Sequence, residues 1–148
     1  MKLIAHRALM QGPDPSRENH PDQIGLALQA GLDVELDVRY LHGEWWLGHD
    51  AAQYKVELWY LQNPRFWLHC KNLQAMHELR NSNTNFFWHQ NDDVTLTSRG
   101  WMWTQPGCTL FSNSVAVVPE THVSLDQFAT LRDWCCYAIC TDYCDILQ

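Results

Sequence analysis

The sequence predicts an α/β fold with parallel strands. Two observations carry that reading. Short apolar or alternating runs recur along the chain with helical or loop stretches between them, the pattern of βα units. Hydrophobic residues make up 46% of the chain and charged residues 18%, enough for a packed core and too apolar for disorder. At 148 residues the chain suits one domain, 1–148, and no repeat, low-complexity segment or linker divides it. A parallel barrel usually takes ~250 residues, with ~200 near the lower limit. Any barrel here must therefore have lost helices or strands, and the eight Trp supply large rings to fill a core that few helices cover.

The elements follow in order. Leu3-Ile4-Ala5 reads as a buried strand ending at His6-Arg7. Residues 11–22 hold Gly12, Pro13, Pro15 and Pro21 and read as a loop. Asp22 is the expected cap of a helix from Gln23 to Ala30, stopped by Gly31. Asp33 to Tyr40 alternates, with Val34, Leu36 and Val38 on one face and Glu35, Asp37 and Arg39 on the other. His42-Gly43 is a turn, and Trp45-Trp46-Leu47 begins the return strand toward His49. Phe66–Cys70, Phe86-Phe87-Trp88, Trp101-Met102-Trp103, Val115–Val118 and Tyr137–Cys140 are further strands. Residues 73–80 are expected to be helical, and Ser124 to cap a helix from Leu125 to Trp134.

Charge and composition exclude some functions. A net charge of −7 disfavours nucleic acid, whose binding rests on phosphate neutralisation by Lys and Arg. An anionic substrate would then need a local positive centre, which a bound cation supplies. No apolar run approaches the ~20 residues of a membrane span. The Met1–His6 segment is too short and polar for a signal peptide, so the expectation is a cytoplasmic chain with reduced thiols. Cys135, Cys136, Cys140 and Cys144 crowd the C-terminus but lack the Cys-x-x-Cys pairs of common zinc sites, so they read as small buried apolar side chains.

Glu35 and Asp37 are the sharpest local feature. Spacing of two puts both carboxylates on one strand face, where they need hydration, a partner or a cation. Hard oxygen ligands suit Mg²⁺ or Ca²⁺. The competing reading is a solvent-facing strand side completed by Arg39. His6 and His49 each follow an apolar run at a strand end, and two imidazoles on one cleft can serve as acid and base.

The ordered set His6-Arg7, Glu18-Asn19, Gly31-x-Asp33-x-Glu35-x-Asp37-Val38 and His49-Asp50 resembles the glycerophosphodiester phosphodiesterases, within the phosphatidylinositol-phospholipase-C-like barrels. The segments read "IAHRA", "RENH", "AGLDVELDVR" and "WLGHD". "LHCKN" stands where the family has a Glu-x-Lys strand, and "AICTD" is similar to its closing strand. The resemblance is dense over residues 3–50 and thin between 73 and 134. It implies a small (β/α) TIM-type barrel with reduced or missing helices, and a site at the C-terminal strand ends. It makes His6 and His49 the general acid and base, and Glu35 and Asp37 metal ligands. Arg7 and Lys71 would meet the phosphate of a small-molecule phosphodiester substrate. In the family a hydroxyl of the substrate alcohol commonly attacks phosphorus and expels the other alcohol.

Three departures from the family pattern bear on this. Its Gly after His-Arg is Ala8 here, a handicap if that position needs positive φ. Its third metal carboxylate falls on His69, whose imidazole shifts preference from Mg²⁺ or Ca²⁺ toward Mn²⁺ or Zn²⁺; Glu18 is the alternative third ligand. The chain is also short, with no room for a substrate-gripping insertion, of which the Trp45-Trp46 hairpin is either a remnant or core packing. Asn19, Glu120 and Trp103 are further candidates to line the site, with core packing the stronger reading for Trp103. His89, Asp92 and Asp93 follow a strand candidate and are candidates to reach the site, but read first as a solvated loop, and Asp142 reads as a partner for Arg7 or Lys71. A small barrel short of helices can also cover apolar strands by forming a homodimer.

Overall fold

The computed structural model describes residues 1–148 and joins ten strands into one sheet. In chain order these are β1 (Lys2–Ala5), β2 (Asp33–Leu41), β3 (Glu44–Leu47), β4 (Tyr54–Val56), β5 (Phe66–Cys70), β6 (Asn85–Phe87), β7 (Val94–Leu96), β8 (Met102–Thr104), β9 (Ser114–Val117) and β10 (Ala138–Thr141). The α-helices are α1 (Pro21–Gln29), α2 (Leu58–Leu61), α3 (Leu73–Leu79) and α4 (Cys144–Leu147), with 3-10 segments at His6–Ala8, Pro119–Thr121 and Leu125–Asp133.

Strands β6, β5, β2, β1, β10, β9 and β8 pair in parallel, neighbour to neighbour. Their order around the sheet follows the chain, and the last strand, β10, returns beside the first. Antiparallel additions are the β3–β4 hairpin beyond β2 and β7 on the edge of β8. The sheet curls. Strands β6 and β8 share no ladder, yet the Phe87 and Trp103 rings lie 4.4 Å apart. Ser98 satisfies the open edge of β6: its N–H donates to the Phe86 carbonyl (2.8 Å) and its hydroxyl accepts from the Phe86 N–H (3.0 Å).

Period-two alternation sorts the sheet into two faces. On one, Val34, Leu36 and Val38 of β2 and Phe66, Leu68 and Cys70 of β5 pack with Ile24 and Ala27 of α1, Leu61 of α2, and Ala75 and Leu79 of α3. On the other, Ile4, Trp67, Phe87, Trp103, Val115, Val117, Ala138 and Cys140 form a separate cluster. Three aromatic rings thus fill the concave side. Helices cover the β2–β5 half. Over β9 and β10 the cover is thinner: Phe128, Leu131 and Leu147 pack on Ala116 and Ile139.

Several boundaries differ from expectation. α1 begins at Pro21, and its cap is the imidazole of His20, which accepts from the Asp22 N–H, in place of Asp22 itself. Proline suits the first helical position because its missing N–H is unpaired there anyway. Leu125–Asp133 is 3-10 throughout, and the Ser124 hydroxyl donates to the Gln127 side chain without capping the backbone. Its buried residues, Phe128 and Leu131, lie three apart, and that spacing eclipses on a three-residue turn. Trp45 is core, tilted against Tyr40 at 4.8 Å. Strands β4 and β7 are only three residues long, too short to show a period. No helix is long and apolar enough to cross a membrane.

The aromatic filling sets a stability contrast. Trp103, 2% exposed, should cost about 3–5 kcal/mol when replaced by Ala. Trp59, 72% exposed, should cost within about 0.5 kcal/mol. Urea unfolding of the two variants measures the difference, and equal losses would contradict this core.

Candidate functional site

The alternation that turns Val34, Leu36 and Val38 toward the helices turns Asp33, Glu35 and Asp37 to the concave side. β5 runs parallel beside β2 with Asp37 opposite His69. The register therefore brings the imidazole to the carboxylates. Nδ1 of His69 lies 3.3 Å from Oδ1 of Asp37 and 3.8 Å from Oε1 of Glu35. Glu35 is 1%, Asp37 0% and His69 8% exposed. In each of these side chains a ligand atom lies within 4.8 Å of the others, and the chain holds no other such group of three His, Cys, Asp or Glu residues. Asp33, at the opposite end of β2, takes part in a separate cluster with Lys2 (3.0 Å) and the Trp67 indole N–H (3.0 Å).

Asp37 is held on several sides. Its N–H donates to Oδ1 of Asn19, and Nδ2 of Asn19 donates back to its Oδ2, both at 2.9 Å. Nε of Arg7 stands 3.5 Å from Oδ2 and Nζ of Lys71 3.6 Å from Oδ1. Oδ1 itself is buried and makes no hydrogen bond. Burial works against ionisation of Asp37, but His69, Arg7 and Lys71 outweigh it and hold its carboxyl below the usual range. Burial pushes Glu35 the other way, upward, and the neighbouring Asp37 charge adds to it.

The 3-10 turn at His6–Ala8 brings a backbone donor to the cluster: the Arg7 N–H donates to Oε2 of Glu35 at 2.9 Å. Arg7 has φ +49° and Ala8 φ +67°, left-handed conformations that cost roughly 1–2 kcal/mol each for a residue with a Cβ. Ala8 thus occupies a position where glycine would be relaxed. Glu18, the alternative third metal ligand, instead accepts from Nη1 of Arg7 with both oxygens at 3.1 Å.

His6 hydrogen-bonds through Nδ1 to Oδ1 of Asp142 at 2.8 Å, so Asp142 partners His6 where Arg7 or Lys71 was expected. Glu120 holds Asp142 in turn, accepting from its N–H and from the Thr141 hydroxyl, both at 2.9 Å. Burial lowers the His6 pKa, but the Asp142 hydrogen bond and the Glu35 and Asp142 charges outweigh it and raise the pKa above the ordinary value. His49 sits past β3, its Nδ1 2.7 Å from Oδ1 of Asp50. Its loop hangs on β2: the Gly48 N–H donates to the Asp37 carbonyl at 3.0 Å. A Cβ on Gly48, at φ +143°, would lie 2.0 Å from the Ala51 carbonyl oxygen. Arg39 braces this loop, donating to the carbonyls of Gly48 and His49, and does not complete the carboxylate face.

His89, read first as part of a solvated loop, lies at the site instead. His89 stacks on His69, with centroids 4.4 Å apart and planes 13° apart, while His69 also stacks on Phe87 at 5.1 Å. Phe87 and His89 are two apart and continue the inward face of β6; that period was the available signal. Asp92 and Asp93 are exposed, as a solvated loop requires. Trp103 is buried in the concave core against Phe87 and does not line the site. The six thiols are all free; burial pushes those of Cys70 and Cys144 up to about 12. A cleft of about 610 Å³ lies elsewhere, beside Thr104, Ala116 and Trp134, away from the carboxylates.

Comparison with protein-family models, curated proteins and solved structures found no match.

His89 creates a pH dependence. Burial, with the His69 and Lys71 charges, lowers its pKa to about 4, against roughly 6.5 in an unfolded chain. Between these values the unfolded state binds the extra proton, so this group makes stability fall as pH drops. His89→Phe keeps a ring in the stack and removes that linkage. In chelator-treated protein its stability relative to wild type should rise from about pH 7.5 to about pH 5. Urea midpoints at the two pH values measure this, and a constant difference would reject the burial of a neutral imidazole.

Proposed function

We propose that this chain is a metal-dependent phosphodiester hydrolase acting on a glycerophosphodiester-like substrate, on a small (β/α) barrel reduced in helices. The observation that carries the reading is the meeting of buried Glu35 and Asp37 with Asp142-bound His6 at one end of the parallel strands. Those residues come from sequence segments far apart, and they are members of the set that resembles glycerophosphodiester phosphodiesterases. The chain-order sequence of parallel strands, with β10 beside β1, supports the barrel.

Glu35, Asp37 and His69 fit a divalent cation. They offer carboxylate and imidazole donors on one buried face, and Oδ1 of Asp37, buried without a hydrogen bond, is the kind of polar atom an ion satisfies. When bound, such a cation would offset charge on the phosphoryl oxygens. The remaining work falls to the protein. A substrate hydroxyl attacks phosphorus and passes its proton to one imidazole; the bond to the second alcohol breaks, the other imidazole protonates that oxygen, and a cyclic phosphodiester forms. Water then opens the ring, giving its proton to the second imidazole while the first protonates the departing ring oxygen, which restores both. Asp142 accepts from Nδ1 of His6, which leaves Nε2 for exchange. The Asp142 hydrogen bond favours the protonated imidazole and suits His6 to the acid role, with His49 as base.

A specific observation favours a second reading, a phosphate-ester-binding protein with weakened catalysis. Both cations expected at the phosphate are engaged with carboxylates, Arg7 with Glu18 and Asp37, and Lys71 with Asp37.

Hydrolysis of glycerophosphodiesters, and of a chromogenic diester, by chelator-treated protein with divalent cations restored separates the two. His6→Ala and His49→Ala should each lower kcat by about 10²–10⁴-fold. Equal turnover in wild type and both variants would sink the acid–base assignment. Calorimetric binding of glycerophosphodiesters without turnover of any diester would leave the second reading.

Asp142→Asn tests the positioning of His6. It should lower kcat with KM little changed, and shift the limb of the pH–rate profile that reports His6 to lower pH, since the substitution removes a charge that favours the imidazolium. An unshifted profile would separate Asp142 from the reaction.

A further inference from the structure

The donor set at the carboxylate centre bears on which ion it takes. Ca²⁺ is held by six to eight oxygens at about 2.3–2.6 Å, and Mg²⁺ by a near-octahedral shell, mostly oxygen, that retains several waters. The face built by β2 and β5 is buried and presents an imidazole nitrogen beside two carboxylates. Two donors each about 2.0 Å from an ion, at a tetrahedral angle, stand about 3.3 Å apart. His69 Nδ1 and Asp37 Oδ1 are 3.3 Å apart, and His69 Nδ1 and Glu35 Oε1 3.8 Å. Oδ1 of Asp37 is fully buried and lacks a hydrogen bond; it has only the longer ion-pair contacts of His69 and Lys71, so a coordinating cation would satisfy it more fully.

The imidazole is also constrained. Phe87 stacks on it at 9° and His89 at 13° between planes. Rotation of the His69 ring out of this alignment would clash with these neighbours or forfeit their contact. The competing cation is Lys71, whose ammonium stands 3.6 Å from the same Asp37 oxygen.

We infer that Glu35, Asp37 and Nδ1 of His69 form a three-ligand site for a late first-row divalent ion of the zinc class, and that His89 is a positioning residue that fixes the plane of the ligating imidazole. Two carboxylates and a nitrogen donor leave a coordination position open for water or a phosphoryl oxygen, as in catalytic zinc sites. The inference rests on the hydrolase reading for the use of that position, but the choice of ion is measurable without turnover.

Calorimetric titration of chelator-treated protein with Zn²⁺, Co²⁺, Mg²⁺ and Ca²⁺ in turn provides the test, with the visible absorption of the Co²⁺ form as a second readout. Zn²⁺ and Co²⁺ should bind roughly 100-fold or more tightly than Mg²⁺ or Ca²⁺, and Co²⁺ should show the intense bands of a low-coordinate site. His69→Asp should narrow the preference at least about tenfold by restoring an all-oxygen set. His89→Ala should weaken Zn²⁺ binding about 10–100-fold and alter the Co²⁺ spectrum, while His89→Phe retains both. Lys71→Met should tighten Zn²⁺ binding by removing the competing charge.

Binding of Mg²⁺ or Ca²⁺ as tight as that of Zn²⁺, or no binding of any ion, overturns the inference on the wild-type protein alone, so a variant that fails to fold does not shelter it. An unchanged preference in folded His69→Asp overturns the ligand assignment, and unchanged binding and spectrum in His89→Ala the positioning role. Tight Zn²⁺ binding without diester hydrolysis leaves the inference standing and removes the hydrolase reading. Mg²⁺-supported hydrolysis with no Zn²⁺ preference does the reverse.

Discussion

Asp37 carries a negative charge at a position without solvent, and much of the structure around β1, β2 and β5 answers that cost. Burying an ion costs several kcal/mol even after relaxation, and only close, well-directed partners offset it. Asn19 holds the side chain and backbone of Asp37 together, Arg7 and Lys71 approach its two oxygens, and His69 stands against it. These partners tie down the chain between β1 and α1. Arg7, Ala8 and Asn19 all have positive φ, conformations that persist where surrounding contacts over-determine them. The Arg7 N–H on Glu35 and the Asn19 amide on Asp37 are such contacts.

The same arrangement gives neighbouring groups different chemical characters. Glu35 and Asp37 share a strand face two residues apart, yet burial and the Asp37 charge push Glu35 up while His69 and the basic side chains hold Asp37 down. His6 gains an acidic partner and is raised, whereas His89, stacked on another imidazole and near Lys71, is lowered. Groups pushed apart in this way mark sites of proton transfer or ion binding more often than plain packing. Two partly buried cations, Arg7 and Lys71, stand beside these carboxylates.

The economy of the fold is visible in its asymmetry. Helices stand over β2 and β5, the strands that carry the carboxylates and His69, and leave lighter cover over β9 and β10. Inside, Trp67, Phe87 and Trp103 occupy space that more strands and layered aliphatic side chains would otherwise fill. The rings also carry the site: Trp103 supports Phe87, and Phe87 supports the His69 imidazole. Two of the eight tryptophans, Trp67 and Trp103, supply this filling.

Strand β2 was readable from its residues alone, because alternation is a local property: Val34, Leu36 and Val38 had to face away from Glu35 and Asp37 whatever the rest of the chain did. The His42-Gly43 turn was readable for the same reason, and its φ values of +53° and +81° are those such a hairpin needs. Strands β4 and β7 were not: three residues carry no period, and Tyr54-Lys55-Val56 and Val94-Thr95-Leu96 lack the continuous aromatic or apolar run that marked the equally short β6 and β8. The sequence by itself determined the face that holds two carboxylates, the glycine-bounded turns and a parallel α/β order. Only the tertiary structure decided that His69 meets Asp37, that Asp142 takes His6, that Glu18 goes to Arg7, and that His89 lies over the imidazole. Each of these depends on strand register or on residues more than ten positions apart, and register is set by packing the whole sheet rather than by any segment within it.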